Sequence, residues 1–298
     1  MLFKNNKKKN SEEEIKALPN NELTLTEETA VTEFELSEKE QNPISNDKFS
    51  ELATLLGKNS DTVKDECYVY QIRNFLSRVG KVIVRYDVSG KEFSKIEENA
   101  AILNLGEIVL APAYLSSLKR EIKTSEYPKN RIRAIIDFPF GESSFKNKIV
   151  AVKECVRSGV KGFYVTMPVL LLEDAKGKEF KKQVKKLGKL AKSVDIAISA
   201  QELTEEKIKS VVKAVEKSKV DGVTLVFGDA SENEITEKIA YIKKYKRTKT
   251  LKILGNVLSE KGLTALFNLG VDGVLTPYAD EIGKDLFKDF NIKTVNLR

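Results

Sequence analysis

The chain has no histidine and no tryptophan among its 298 residues, and only two cysteines and two methionines. Without imidazole there is no Ser/His/Asp or Cys/His triad, no histidine-bearing zinc site and no imidazole switch near neutral pH. Cys67 and Cys155 lie far apart, in neither a CxxC pair nor a ligand cluster, and read as ordinary reduced thiols. No apolar run approaches the roughly 18 residues that span a bilayer, and the opening MLFKNNKKKNSEEE turns charged after three residues. A cytoplasmic chain with no metal and no cofactor is expected. Any chemistry falls to lysine, carboxylate, tyrosine or backbone groups.

What is present is apolar bulk and charge. Hydrophobic residues make up 41%, enough for a sizeable core, and 51 Lys and Arg outnumber 44 Asp and Glu for a net charge of +7. The imbalance is uneven. Residues 1–48 hold seven lysines and eleven carboxylates, a charge of −4, which leaves +11 on residues 49–298. This first segment, rich in Asn, Ser, Thr and Glu and without a helical apolar stripe, reads as a disordered acidic tail. Residues 49–79 place Phe49, Leu52, Leu55, Leu56 and then Tyr70, Ile72, Phe75, Leu76 near helical spacing, which predicts two short helices ahead of a main domain over 80–298.

From Lys81 one unit repeats: a short β-rich run, a polar junction, an amphipathic stretch. The strand candidates are 81–86, 107–112, 131–137, 160–166, 194–199, 220–227, 251–256 and 272–276. Between them, apolar residues recur at three- and four-residue steps, as in Ile149, Val152, Val156 and Ile235, Ile239, Ile242. Ser89 with Glu92 and Ser231 with Glu234 fit capping boxes, Thr204 opens another helix, and Gly159 and Gly270 sit where helices end. Eight strand–helix units predict an α/β fold, the parallel (β/α)8 TIM barrel, rather than a doubly wound sheet.

Barrel chemistry sits at the C-terminal ends of the strands. Asp137 and Asp229 fall there and suggest an acid/base pair, although carboxylates at such junctions more often cap the next helix. Gly255-Asn256 offers a turn with amide donors for a phosphate. Lys252 lies in an apolar strand run. Burial would turn it towards a neutral, nucleophilic amine; the simpler alternative is that it reaches solvent at the bottom rim. Tyr164 and Thr224 are mid-strand polar residues, either functional or plain hydrogen-bonded core. A lysine-rich helix over 173–192 and the run 243–249 could meet an acidic partner or nucleic acid. A solvated face is the simpler reading, because no Arg–aromatic interleaving accompanies the charge.

The order of these segments resembles the deoxyribose-phosphate aldolase family of class I aldolase barrels from about residue 82 to residue 290. The likeness is carried by IVLAPAYL (108–115), by AIIDFPFGES (134–143), similar to that family's Ile-Gly-Phe-Pro-Leu-Gly, by VDIAISAQELTEEKI (194–208), and by LKILGNVLS (251–259), similar to Val-Lys-Ala-Ser-Gly-Gly-Ile-Arg-Thr. The resemblance implies reversible addition of acetaldehyde to glyceraldehyde phosphate through a lysine Schiff base. It places Thr224 at the Schiff-base lysine and Tyr164 at an acid of the proton relay, while Lys252 matches the family's second lysine. The phosphate cup corresponds to Gly255, Asn256 and the Leu275-Thr276-Pro277 segment, where proline removes a donor.

A hydroxyl cannot form an imine, so the leading expectation is a catalytically degenerate aldolase-like barrel kept as a binding or structural protein, with a protein partner met through the tail or the basic surface. Two alternatives stay open. One is an active carbon–carbon lyase using Lys252 as the imine-forming amine and Tyr164 as proton donor, on a small phosphorylated aldehyde held by Asp137, Gly255, Asn256 and Thr276. The other is a nucleic-acid-binding protein.

Overall fold

The computed structural model describes residues 46–83, 87–173, 177–201, 203–228 and 230–289. The predicted tail lies outside them up to residue 45. The described residues from Phe49 onward belong to one compact unit. Two helices, α1 (Asn46–Leu56) and α2 (Ser60–Leu76), precede the first strand. Asn59 caps α2 by accepting the Asp61 amide, and Val63, Val69, Ile72 and Leu76 form its buried face.

Eight parallel strands close into a barrel in sequence order: β1 (Val79–Ile83), β2 (Glu107–Leu110), β3 (Ile132–Ile136), β4 (Gly162–Thr166), β5 (Ser193–Ser199), β6 (Gly222–Val226), β7 (Thr250–Leu254) and β8 (Gly273–Thr276). The helices between them are α3 (Gly90–Leu103), α4 (Pro112–Ser117) with α5 (Lys119–Thr124), α6 (Phe145–Arg157), α7 (Lys178–Leu187), α8 (Glu205–Glu216), α9 (Glu232–Tyr245) and α10 (Glu260–Asn268), and α11 (Ala279–Asp289) follows β8. The expected (β/α)8 architecture is therefore present. Among the described residues no helix is long and apolar enough to cross a membrane.

Several predicted strand runs overshoot, for local reasons, whereas β5 starts one residue before the run 194–199 and β1 two residues before 81. The run 107–112 stops at Leu110 because Pro112 opens α4 at a position where its missing N–H costs nothing. The run 131–137 stops at Ile136 because Asp137 turns into the left-handed region at φ 61. The run 251–256 ends at Leu254, and the helix expected over 173–192 is only Lys178–Leu187, ended at Gly188. Residues 84–86 and 174–176 lie outside the described set.

Capping follows the sequence closely. Ser89, Thr204 and Ser231 accept the amides of Glu92, Lys207 and Glu234, and the Ser231–Glu234 pair closes a full capping box. Two apolar layers result. The larger lies between strands and helices and includes the fully buried Phe93, Phe163 and Phe180. The smaller fills the barrel with one residue from each strand: Val82, Val109, Ile135, Tyr164, Ala197, Val226, Leu254 and Leu275.

Candidate functional site

Strand side chains alternate between faces, so the residue two places before each interior residue also points inward. That rule yields the next layer towards the N-terminal ends of the strands: Gly80, Glu107, Arg133, Gly162, Asp195, Thr224, Lys252 and Gly273. Four of the eight are charged and three are glycine. The glycines make room for their long neighbours. A Cβ on Gly162 would lie 2.8 Å from Arg133 Nε, and one on Gly80 would lie 2.8 Å from Glu107 Cγ.

The four charges form one network. Lys252 Nζ lies 2.9 Å from Glu107 Oε1 and 3.7 Å from Asp195 Oδ2. Arg133 reaches Glu107 Oε2 at 3.3 Å and Asp195 Oδ2 at 2.8 Å. The contact with Asp195 Oδ2 is a charge contact, since that oxygen has no well-directed hydrogen bond. Tyr164 extends from the apolar layer above. Its hydroxyl donates to Glu107 Oε1 at 2.5 Å and accepts from Lys252 Nζ at 2.6 Å, while the Arg133 guanidinium stacks 4.4 Å from its ring centroid. Two cations and two carboxylates balance, as a buried ionic layer requires.

Burial and charge pull these groups in different directions. For Glu107 burial pushes the carboxyl up, but Lys252 and Arg133 outweigh it and hold it below the usual range. For Asp195 burial wins, and its carboxyl sits above the usual range despite Lys252 and Arg133. Burial, reinforced by Glu107, holds the Tyr164 phenol well above its ordinary value. Tyr164 is therefore a neutral donor.

Of the predicted catalytic residues, Lys252 and Tyr164 meet in this network. Lys252 also lines an open cavity at the N-terminal end. Thr224 stands beside Lys252 in the strand register, fully buried, and its Oγ1 has no hydrogen-bond partner. Above it Val226, Leu254, Leu275 and Ile135 fill the barrel, with Phe138 packed against them.

The predicted substrate-binding residues lie at the other end and are largely occupied. Asp137 pairs with the buried Lys148 of α6 and accepts the Ser143 amide at 2.9 Å, and Lys148 also donates to the Gly141 carbonyl at 2.8 Å. The Gly255 amide donates to the Leu275 carbonyl at 3.1 Å. Thr276 Oγ1 donates to the Val257 carbonyl at 2.8 Å and accepts from the Tyr278 amide. Asn256 is exposed. Asp229 lies outside the described residues.

Glu107, Arg133 and Asp195 were not singled out from the sequence. The signal was there: in EIV, RAI, DIA and KIL a charge stands two places before an interior apolar residue, near the start of a strand. Attention to strand C-termini alone passes over it.

No protein-family model matches the chain. Over 197 residues, 64% of this chain and 90% of the relative, it is 22% identical to the deoxyribose-phosphate aldolase of Treponema denticola. Among solved structures, the aldolase QR15 superposes with a TM-score of 0.64 at 16% identity, covering 74% of this chain and 99% of that one. The tetrameric deoxyribose phosphate aldolase of Aeropyrum pernix gives 0.63 at 16% identity, covering 76% and 97%. At these identities the superpositions speak for the fold. In sequence, then, this chain is similar to deoxyribose-phosphate aldolase, and it carries the barrel on which those aldolases are built.

Proposed function

We propose that this aldolase-like barrel has lost imine chemistry and serves as a binding or structural protein. The observation that carries the reading is Thr224: the strand position that the resemblance assigns to the Schiff-base lysine holds a buried hydroxyl with no partner, under an apolar plug. The substitute nucleophile, Lys252, is engaged by Glu107 and Tyr164, so an imine there would break an ion pair and a hydrogen bond inside the barrel. Of the groups that would cradle a phosphate at the C-terminal mouth, the Gly255 amide and the Thr276 hydroxyl spend their donors on the protein itself. The chain's lysine-rich helix α7 exposes Lys178, Lys182, Lys185 and Lys186, a surface suited to an acidic protein partner.

A second reading, an active carbon–carbon lyase, draws on the 2.6 Å contact between the Lys252 amine and the Tyr164 hydroxyl, a nucleophile beside a neutral proton donor. A cleavage assay on deoxyribose phosphate separates the two. The degenerate barrel releases no aldehyde above the uncatalysed blank. Turnover at an enzymatic rate that disappears in Lys252→Met establishes the lyase instead.

A further inference from the structure

The cavity that Lys252 lines is the second feature of the N-terminal end. It measures about 290 Å3, close to the lower limit of about 300 Å3 for small-molecule pockets, and it opens between the starts of β1, β2, β3 and β8. Its floor is the buried layer of Glu107, Arg133 and Lys252, with Asp195 beside it and Asp221 accepting from the lining Ser193. Its rim is not balanced. Arg78 and Arg131 stand there against Asp272, and Asp272 is already paired with Lys246 at 2.6 Å. The mouth therefore carries excess positive charge over a low-dielectric floor, the arrangement that concentrates anions.

Both rim guanidiniums are positioned in advance. Arg78 lies over Phe267, its Cζ 3.7 Å from the ring centroid, and donates from Nε and Nη2 to the carbonyls of Asp272 and Val271. Arg131 donates from Nη1 to Asn104 Oδ1 at 2.9 Å and the Leu105 carbonyl at 3.3 Å. A guanidinium has five N–H groups, so donors remain on each, and a side chain already held in place loses little entropy on binding. Lys252 spends two of its three protons on Glu107 and Tyr164, which leaves one.

We propose that the N-terminal mouth of the barrel binds a small organic anion, its phosphate or carboxylate group held by Arg78 and Arg131 above the Arg133–Lys252 floor. Phosphate and carboxylate are alike here, because planar guanidiniums match either. The proposal stands apart from the loss of imine chemistry at Thr224, since an aldol assay reads neither rim arginine. Calorimetric titration of the full chain at low ionic strength, with inorganic phosphate and separately with malonate, tests it. Saturable binding of at least one probe is expected, weakened about tenfold or more in Arg131→Gln and in Arg78→Gln. Asn256→Ala, at the opposite end, is expected to bind as the wild type does. Circular dichroism checks that each variant is folded, and exposed Arg78 offers a substitution that leaves the core alone. No saturable binding of either probe overturns the proposal. So does binding that both arginine variants retain in full.

Discussion

Glu107 holds the interior charges together, because Lys252 and Arg133 both lean on its carboxylate and the Tyr164 hydroxyl donates to it. Removing one member of a buried ionic set leaves the others uncompensated. Glu107→Ala is therefore expected to cost about 3–5 kcal/mol in urea unfolding; a loss below about 1 kcal/mol would show that the layer is solvated. Glu97 on α3 makes the opposite point. It is 4% exposed, and burial, with a contribution from Glu121, pushes its carboxyl up to about 7. A folded value above the unfolded one means that the native state binds the extra proton, so stability falls as pH rises from about 4.5 to about 7. Glu97→Gln is expected to flatten that part of the pH–stability curve and to raise Tm at pH 8, as differential scanning calorimetry would show. An unchanged slope would count against a buried, proton-bearing Glu97. From the sequence alone Glu97 is one more charge on a helix, since α3 has to dock before its environment exists.

Among the elements, the segment from Asp137 to Lys148 has the most specific local structure. Asp137 leaves β3 in the left-handed region, takes the Ser143 amide and pairs with buried Lys148, which ties the loop to the first turn of α6. The motif AIIDFPFGES was legible as a family signature. Its internal bonding was not, because nothing in the spacing says that Lys148 folds back under the loop. Lys148 and Ser143 hold the Asp137 carboxyl below its ordinary value against the effect of burial. With the folded value depressed, the stabilisation is present above the unfolded value of about 3.9 and is lost as pH falls through the folded one. Asp137→Asn is expected to lower Tm at pH 7 and to narrow its gap to the wild type in strong acid; an equal gap at both pH values would contradict the pairing. The helix starts were legible outright, since capping depends only on near neighbours. Ser231→Ala is expected to cost about 1 kcal/mol by removing the box on α9, and a measured effect near zero would mean that α9 begins elsewhere.

Across the whole molecule, repeat number and period specified the barrel, and consecutive strands are neighbours, as short connections favour. Function was legible only as far as the C-terminal mouth, where expectation about barrels directs attention. There Asp137, Gly255 and Thr276 are bonded within the protein, while Asn256 is exposed. The charged layer facing the other end is a property of closure: Glu107 and Lys252 are 2.9 Å apart in space but five strands apart in the chain, and β1–β8 pairing brings them face to face. No local pattern shows that pairing.

The central claim is that no amine inside this barrel forms an imine with an aldehyde substrate. Borohydride reduction in the presence of limiting acetaldehyde, followed by peptide mapping, tests it directly. The peptides carrying Thr224 and Lys252 are expected to remain unmodified while exposed lysines such as those of α7 take whatever label appears. One reduced adduct per chain, selective for Lys252, would contradict the claim.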